Sequence, residues 1–382
     1  MKQLKRLIVL DPIVLTRDQW SRLGALAEHL VEFHGLSADE ILARLEKDMD
    51  ANPAPMCWTQ LAQENVTEKV LLERLEGADG VITCWTNIPD SILNQCQDLR
   101  YIGFWTNMAA HRINLGLAQQ KGMHVTYVPD YGTESVAEMT FAGLLAVTRK
   151  ILSNAKDTQR GKWPYELLKT GSFVPPVEAI PQRMLRDKTL GIIGFGRIGR
   201  RVAEIALAFG MKVQYWSRNH YEEWEQKGIK YRELDDLFAT SDVVSLHLSP
   251  YAPEKIVSAD RIRMLHDGAI FVNTSAGRLV DQDALLTELE NRRLYAFLDV
   301  YEGLPPRRRF KNIDMQDNLF TYRAGWFTQE AITAKGDALI WNLELFLSGE
   351  SGNVLDEQTR VRLGEDHLEI PCDRGSSESK GI

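Results

Sequence analysis

Residues 190–210 read "LGIIGFGRIGRRVAEIALAFG". Leu190, Ile192 and Ile193 make a short apolar run of the kind that forms a buried strand. Gly194, Gly196 and Gly199 then stand as G-x-G-x-x-G, and the residues after them carry helical spacing. In this strand–turn–helix setting the three glycines have separate tasks. Gly194 allows the tight turn, Gly196 lets backbone approach a pyrophosphate, and Gly199 lets the helix pack on the strand. The helix N-terminus then stabilises the anion. A dinucleotide-binding sheet is therefore expected around this point.

Downstream, "KVQYWS", "DVVSLHL", "AIFVNTS" and "YAFLDV" repeat the apolar-strand pattern with helical stretches between them, so five strands are expected in this half. Upstream, "RLIVLD" (6–11), "GVITCW" (80–85), "RYIGFW" (100–105) and "HVTYVP" (124–129) alternate with helical runs, including one over 18–33 and one opened by a capping box at Ser37–Glu40. The fold class expected is α/β, with two Rossmann-like or flavodoxin-like parallel-sheet domains and a cleft between them. Residues 133–155 read as one long helix, a Pro-rich excursion follows, and 329–348 read as a helix returning to the first domain. The domain reading is 1–128 plus 332–350 for a first α/β domain, 129–331 for a dinucleotide-binding Rossmann domain, and 351–382 for a polar C-terminal tail.

The 382 residues suffice for two cores, and 44% hydrophobic with 26% charged residues is an ordinary globular mixture. A net charge of −8 gives no electrostatic reason for nucleic acid or an anionic membrane as partner. The four cysteines, Cys57, Cys84, Cys96 and Cys372, form no CxxC pair, so neither a disulfide framework nor a metal site is indicated. With no signal peptide and no spanning stretch, a cytoplasmic protein is expected.

The cofactor can be read further. NAD enzymes carry an acid about 20 residues past the glycines, where it meets the ribose hydroxyls. Here stand Ser217, Arg218 and Asn219. A carboxylate repels a 2′-phosphate, whereas Arg218 can pair with it and Ser217 can donate a further hydrogen bond. NADP(H) is therefore favoured over NAD(H); the plain alternative is a solvated loop arginine. Phe195, Arg197 and Ile198 of the glycine loop complete the cofactor set, with His247, Thr274 and Asp299 at later strand ends.

The chain resembles the D-isomer-specific 2-hydroxyacid dehydrogenase family over roughly residues 75–345. The likeness rests on "VPDYGTESVAEMTFAGLLAVTRKI", "GKW", "LGIIGFGRIGRRVA", "DVVSLHL", "GAIFVNTSAGRLVDQDAL" and "LDVYE". The resemblance implies a split substrate domain, a central NAD(P) domain and a homodimer through the 133–180 region. It also implies three catalytic groups, and this chain departs at each. Ala276 stands in place of the arginine, Leu304 in place of the glutamate and Arg323 in place of the histidine. No histidine lies between His266 and His367 to replace the last. The first-domain loop, which in the family contains glycine, is Asn107-Met108-Ala109-Ala110, and Trp105, Trp326 and Phe327 offer aromatic walls.

Three readings follow. In the first, the chain is an NADP(H)-dependent oxidoreductase of this type with a non-standard active site. Its small-molecule substrate is something other than a simple 2-keto acid, such as an imine or an activated C=C. Arg323 stabilises charge, since guanidinium stays protonated. His247, whose resemblance position lies beside the nicotinamide, and Tyr301 are the candidate proton carriers. In the second, the chain is a catalytically silent NADP(H)-binding sensor or scaffold. In the third, it is an ordinary 2-hydroxyacid dehydrogenase whose work has shifted to Arg278 and Glu302.

Overall fold

The computed structural model describes residues 3–11, 13–32, 67–161, 182–250, 252–302, 311–315 and 317–363. The capping box at 37–40, most of the 38–70 segment, most of the Pro-rich excursion, Leu304, and Cys57 and Cys372 lie outside them. The chain divides into two compact units, Met1–Tyr131 with Thr328–Ile382, and Gly132–Phe327. Among the described residues no helix is long and apolar enough to cross a membrane.

The first unit holds a five-stranded parallel sheet in the order β2-β1-β3-β4-β5. Its strands are β1 Leu4–Val9, β2 Ala27–Glu32, β3 Gly80–Thr83, β4 Tyr101–Phe104 and β5 His124–Tyr127. β3 and β4 are buried at every position and β1 from Leu7 to Val9, as in a sheet covered on both faces. β2 corrects the expectation of one helix over 18–33. The helix there covers only Arg17–Gly24, closed at its start by a capping box between Thr16 and Gln19. Residues 27–32 pair with β1 at the sheet edge, where half-exposed strands carry polar residues and imitate a helical pattern.

The tail also begins later than composition suggests. Tyr127 N–H donates to the Asn353 carbonyl, Leu355 N–H donates to Val125, and Leu355 is buried in the first core. Asn342, fully buried in the helix Gln329–Ser348, donates to the Tyr127 carbonyl and accepts from Asn353 N–H.

One buried carboxylate ties the carboxyl edge of this sheet. Asp11 Oδ2 accepts from the backbone N–H groups of Cys84, Trp85 and Thr86 at 2.6, 2.9 and 3.1 Å, and from Thr83 Oγ1 at 2.5 Å. Removing it takes the acceptor from the Cys84 and Trp85 N–H groups of this turn, while Thr86 N–H keeps Thr83 Oγ1 at 3.2 Å. Asp11→Ala is expected to destabilise the chain by about 3 kcal/mol, read from urea unfolding of the full-length protein. A loss under about 0.5 kcal/mol would show that water replaces the carboxylate.

The second unit is a seven-stranded, all-parallel sheet in the order β12-β11-β10-β9-β6-β7-β8. These are β6 Thr189–Ile193, β7 Lys212–Trp216, β8 Lys230–Tyr231, β9 Val243–Leu246, β10 Ile270–Asn273, β11 Tyr295–Leu298 and β12 Leu319–Phe320. The five expected strands are β6, β7, β9, β10 and β11. β8 and β12 are two-residue edge strands, too short to leave a periodic signal. The single helix expected over 133–155 is two, Thr133–Thr148 and Ile151–Gln159. Lys150 breaks it with φ 52°, its ammonium paired with Asp317 and lying over the Tyr295 ring. That tertiary pairing has no trace in local sequence.

Candidate cofactor site

β6 and β9 are hydrogen-bonded neighbours in the sheet, yet the chain leaves β6 toward β7 on the other side. This reversal is the topological switch point where open α/β sheets bind ligands. The glycine loop lies there. Gly194 has φ +95°, and a Cβ on it would stand 2.6 Å from the His247 carbonyl oxygen and 2.9 Å from Leu248 N. A Cβ on Gly199 would fall directly on the Gly194 carbonyl, so the helix Arg197–Ala208 sits as close to the strand as backbone allows. Gly196 is the N-cap and is exposed, with nothing within 4 Å of where a Cβ would be. The loop thus packs inward at two glycines and leaves open space at the third, which is the shape a pyrophosphate requires. Arg197 is exposed and Ile198 half-buried in the first helical turn.

Phe195 belongs elsewhere. Its side chain is 1% exposed and stacks on Tyr215 at 4.1 Å, with Trp224 edge-on. It contributes backbone to the loop and its ring to the core. At the end of β7, Arg218 and Asn219 are exposed, and the Ser217 hydroxyl donates to the Asn219 carbonyl. That bond shapes the turn and uses the proton that the sequence reading assigned to a phosphate. Arg218 is left as the cation of this strand end.

The later strand ends are more committed than their positions suggested. Thr274 Oγ1 lies 3.2 Å from Thr140 Oγ1. Asp299 is 2% exposed; its carboxylate accepts from Thr321 Oγ1, Ala324 N–H and Gly325 N–H at 2.6, 2.9 and 2.8 Å. Asp299 therefore holds the 321–325 loop and is not an open acceptor. Arg323 sits in that loop with φ 40°, its N–H donating to the Asp299 carbonyl and its side chain exposed. Tyr301 is corrected as a proton carrier. Its hydroxyl lies 2.7 Å from the Thr321 carbonyl and 3.1 Å from that of Leu298, and burial pushes its pKa up. It is a strut between two loops. Arg278 donates to the Pro250 and Ala252 carbonyls and pairs with Glu254 at 2.9 Å. That commitment takes it away from the anchoring role of the third reading.

His247 is partly buried, with Nε2 2.8 Å from Ser245 Oγ. Burial pushes its pKa down to about 3, which favours the neutral ring near pH 7; that ring keeps one N–H but is a weak proton donor. An unfolded histidine titrates near ~6.5, so the unfolded chain takes up the extra proton first. The stability gained by keeping the ring neutral is complete above about 6.5 and is lost as pH falls toward about 3. His247→Gln is expected to flatten this acid limb, measured by urea unfolding at a series of pH values. An unchanged slope would mean that the ring takes up its proton at the same pH in the folded and unfolded chain.

A seven-stranded parallel sheet with a glycine loop at its switch point defines a dinucleotide-binding domain. The comparisons agree. Residues 141–322 match the family described as "D-isomer specific 2-hydroxyacid dehydrogenase, NAD binding domain". Hydroxypyruvate reductase of Blautia hydrogenotrophica is 30% identical over 75% of this chain and 88% of its own length. Glyoxylate reductase of Aeropyrum pernix is 36% identical over 64% of this chain and 74% of its own length. Among solved structures, an acyclic imino acid reductase in complex with NADPH and D-Arg is 25% identical, with a TM-score of 0.67 over 92% of this chain and 99% of that one. The chain belongs to the D-isomer-specific 2-hydroxyacid dehydrogenase family. It is an oxidoreductase of that type with an NAD(P)-binding domain.

Proposed function

We propose that this chain is an NADP(H)-dependent reductase that acts on a substrate other than a simple 2-keto acid, with a C=N bond as the favoured target. The observation that carries the cofactor half is Arg218. It stands exposed just after β7, where a carboxylate would otherwise meet the ribose hydroxyls. The glycine loop and helix N-terminus hold the pyrophosphate, and the bound dinucleotide supplies a hydride.

The substrate half follows from what the strand-end residues cannot do. Tyr301 is tied to carbonyls, His247 is neutral and Arg323 does not release its proton. A ketone needs a proton as the hydride arrives. A protonated imine already carries that proton on nitrogen, so hydride addition alone completes the amine. The NADPH complex of the acyclic imino acid reductase supports this reading by kinship. The same missing proton donors favour a second reading, a silent NADP(H) sensor or scaffold. Nicotinamide fluorescence during titration with NADPH and NADH tests the cofactor half. Turnover of NADPH with mixtures of 2-oxo acids and amines tests the substrate half. NADPH-selective binding with amine-dependent turnover is expected. Selective binding without turnover favours the sensor, and NADH preference overturns the role of Arg218.

Homodimerisation is part of this proposal. Ile151, Leu152 and Met184 are apolar side chains of the second unit that stand 49%, 51% and 73% exposed, the kind of surface an interface would cover. Light scattering that gives the mass of one chain would exclude it.

A further inference from the structure

The carboxyl ends of β7 and β8 are tied together by aromatic contact. β8 runs parallel to β7 with Tyr231 opposite Tyr215, and the Arg232 N–H donates to the Tyr215 carbonyl at 2.9 Å. Arg232 therefore stands one position past the last pair, level with Trp216. The turn that leaves β7 folds back onto β8. The His220 ring stacks on the Tyr231 ring at 3.6 Å, and Tyr231 lies edge-on to Tyr215 at 5.5 Å. Arg218 is two residues before His220, and Arg232 is next to Tyr231. The stack thus brings together the two segments that carry these arginines.

A second observation is that Arg232 ignores the acids beside it. It is exposed, and among the described residues its side chain has neither a hydrogen bond nor an ion pair, as is also true of Arg218. Glu233, Asp235 and Asp236 follow it directly in the chain. Glu233 instead accepts from the Tyr231 hydroxyl at 3.4 Å, and Asp235 pairs with Arg261 at 2.7 Å. Asp236 lies in the first turn of the helix Leu234–Thr240, where the helix dipole favours a carboxylate. In a chain of net charge −8, two unpaired guanidiniums at one strand edge mark a place for an anion. There is room beside them for the rest of a ligand. Trp216, two residues before Arg218, and Glu233, next to Arg232, line one surface cavity together with Lys255.

We propose that Arg232 is a second cation for the 2′-phosphate of NADP(H), so that two guanidiniums hold this group, one from the end of β7 and one from the end of β8. The inference rests on the NADP(H) reading above. A phosphate monoester carries about −1.5 to −2 charge near pH 7 and three strong acceptor oxygens. One guanidinium fork engages two of those oxygens, which leaves the third and part of the charge for another donor. His220 is a positioning residue here. Its Nδ1 lies 3.5 Å from Glu225, which also accepts from the Tyr215 hydroxyl, and its ring holds the two segments together.

The test is fluorescence titration of the full-length wild type, Arg232→Ala, Arg232→Lys and Arg218→Ala with NADPH and with NADH. Arg232→Ala is expected to raise the Kd for NADPH about tenfold, the scale of one charge-assisted hydrogen bond, and that for NADH less than about twofold. Arg232→Lys should recover most of the loss, because an ammonium still serves a phosphate as a point charge. Adenosine 2′,5′-bisphosphate should displace NADPH from wild type and should weaken by the same factor in Arg232→Ala, which locates the effect at the phosphate. The side chain is exposed, so the unfolding temperature should not move. If Arg218→Ala weakens NADPH binding and Arg232→Ala does not, the proposal falls and the NADP(H) reading stands. An equal loss for NADPH and NADH in Arg232→Ala would mean that the residue only supports β8, and also overturns it. A wild type that prefers NADH removes the NADP(H) reading and this proposal together.

Discussion

Arg218→Glu is expected to raise the dissociation constant for NADPH by about 100-fold, while that for NADH changes by less than about threefold. The magnitude follows from the bond removed. A hydrogen bond between a guanidinium and a phosphate is worth about 1.5–3 kcal/mol, and about 1.4 kcal/mol is tenfold in affinity. The new carboxylate adds repulsion against a 2′-phosphate. The effect should be local, because Arg218 is exposed just beyond β7 and the turn is held by the Ser217–Asn219 bond. Fluorescence titration of both nucleotides against both proteins measures it. If the variant loses affinity for both cofactors equally, Arg218 acts through the turn. If it loses neither, Arg218 is a solvated side chain and the selectivity must come from elsewhere.

The second large effect is expected at Gly194. An alanine there would hold an L residue at φ +95°, with its Cβ 2.6 and 2.7 Å from the carbonyl oxygen and carbon of His247. Backbone strain and overpacking each cost about 1–3 kcal/mol, so Gly194→Ala should lose about 3 kcal/mol. In a unit of this size that lowers the unfolding temperature by about 6–12 °C. Nucleotide binding should fall as well, because relief of the clash moves the loop away from β9. Calorimetric unfolding and NADPH titration of the same preparation separate the two effects. An unshifted unfolding temperature would mean that the β6–β9 junction gives way more easily than its spacing implies.

The positions of these two residues are local matters. A glycine between an apolar strand and a helix, or an arginine at the next strand's end, is placed by a few neighbours. The edges of the fold were less legible. β2 reads as helix because an edge strand buries only part of one face, and β8 and β12 are two residues long. Lys150 breaks a helix through a partner 167 positions away, Asp317.

Site assignments made by strand-end position fared unevenly for the same reason. Phe195, Asp299 and Tyr301 occupy the expected places, but their side chains are taken by the core and by neighbouring loops. The burial of Lys335 was missed, although a signal existed. Counted from Ala331 and Leu339, it stands at four-residue spacing on the apolar face of its helix, where a lysine is out of place.

From the sequence alone came the alternation of strands and helices, the glycine loop, the cation at its cofactor edge and the absence of the usual catalytic arginine. Each depends on residue type and short-range spacing, which a linear chain displays directly. Only the tertiary structure decided the order of the strands, which hydroxyls and carboxylates are already bonded, and which ammonium is buried against aromatic rings. Those depend on groups that meet across hundreds of residues. Burial and hydrogen-bond satisfaction, which set whether a side chain can act, are properties of that meeting and not of the chain.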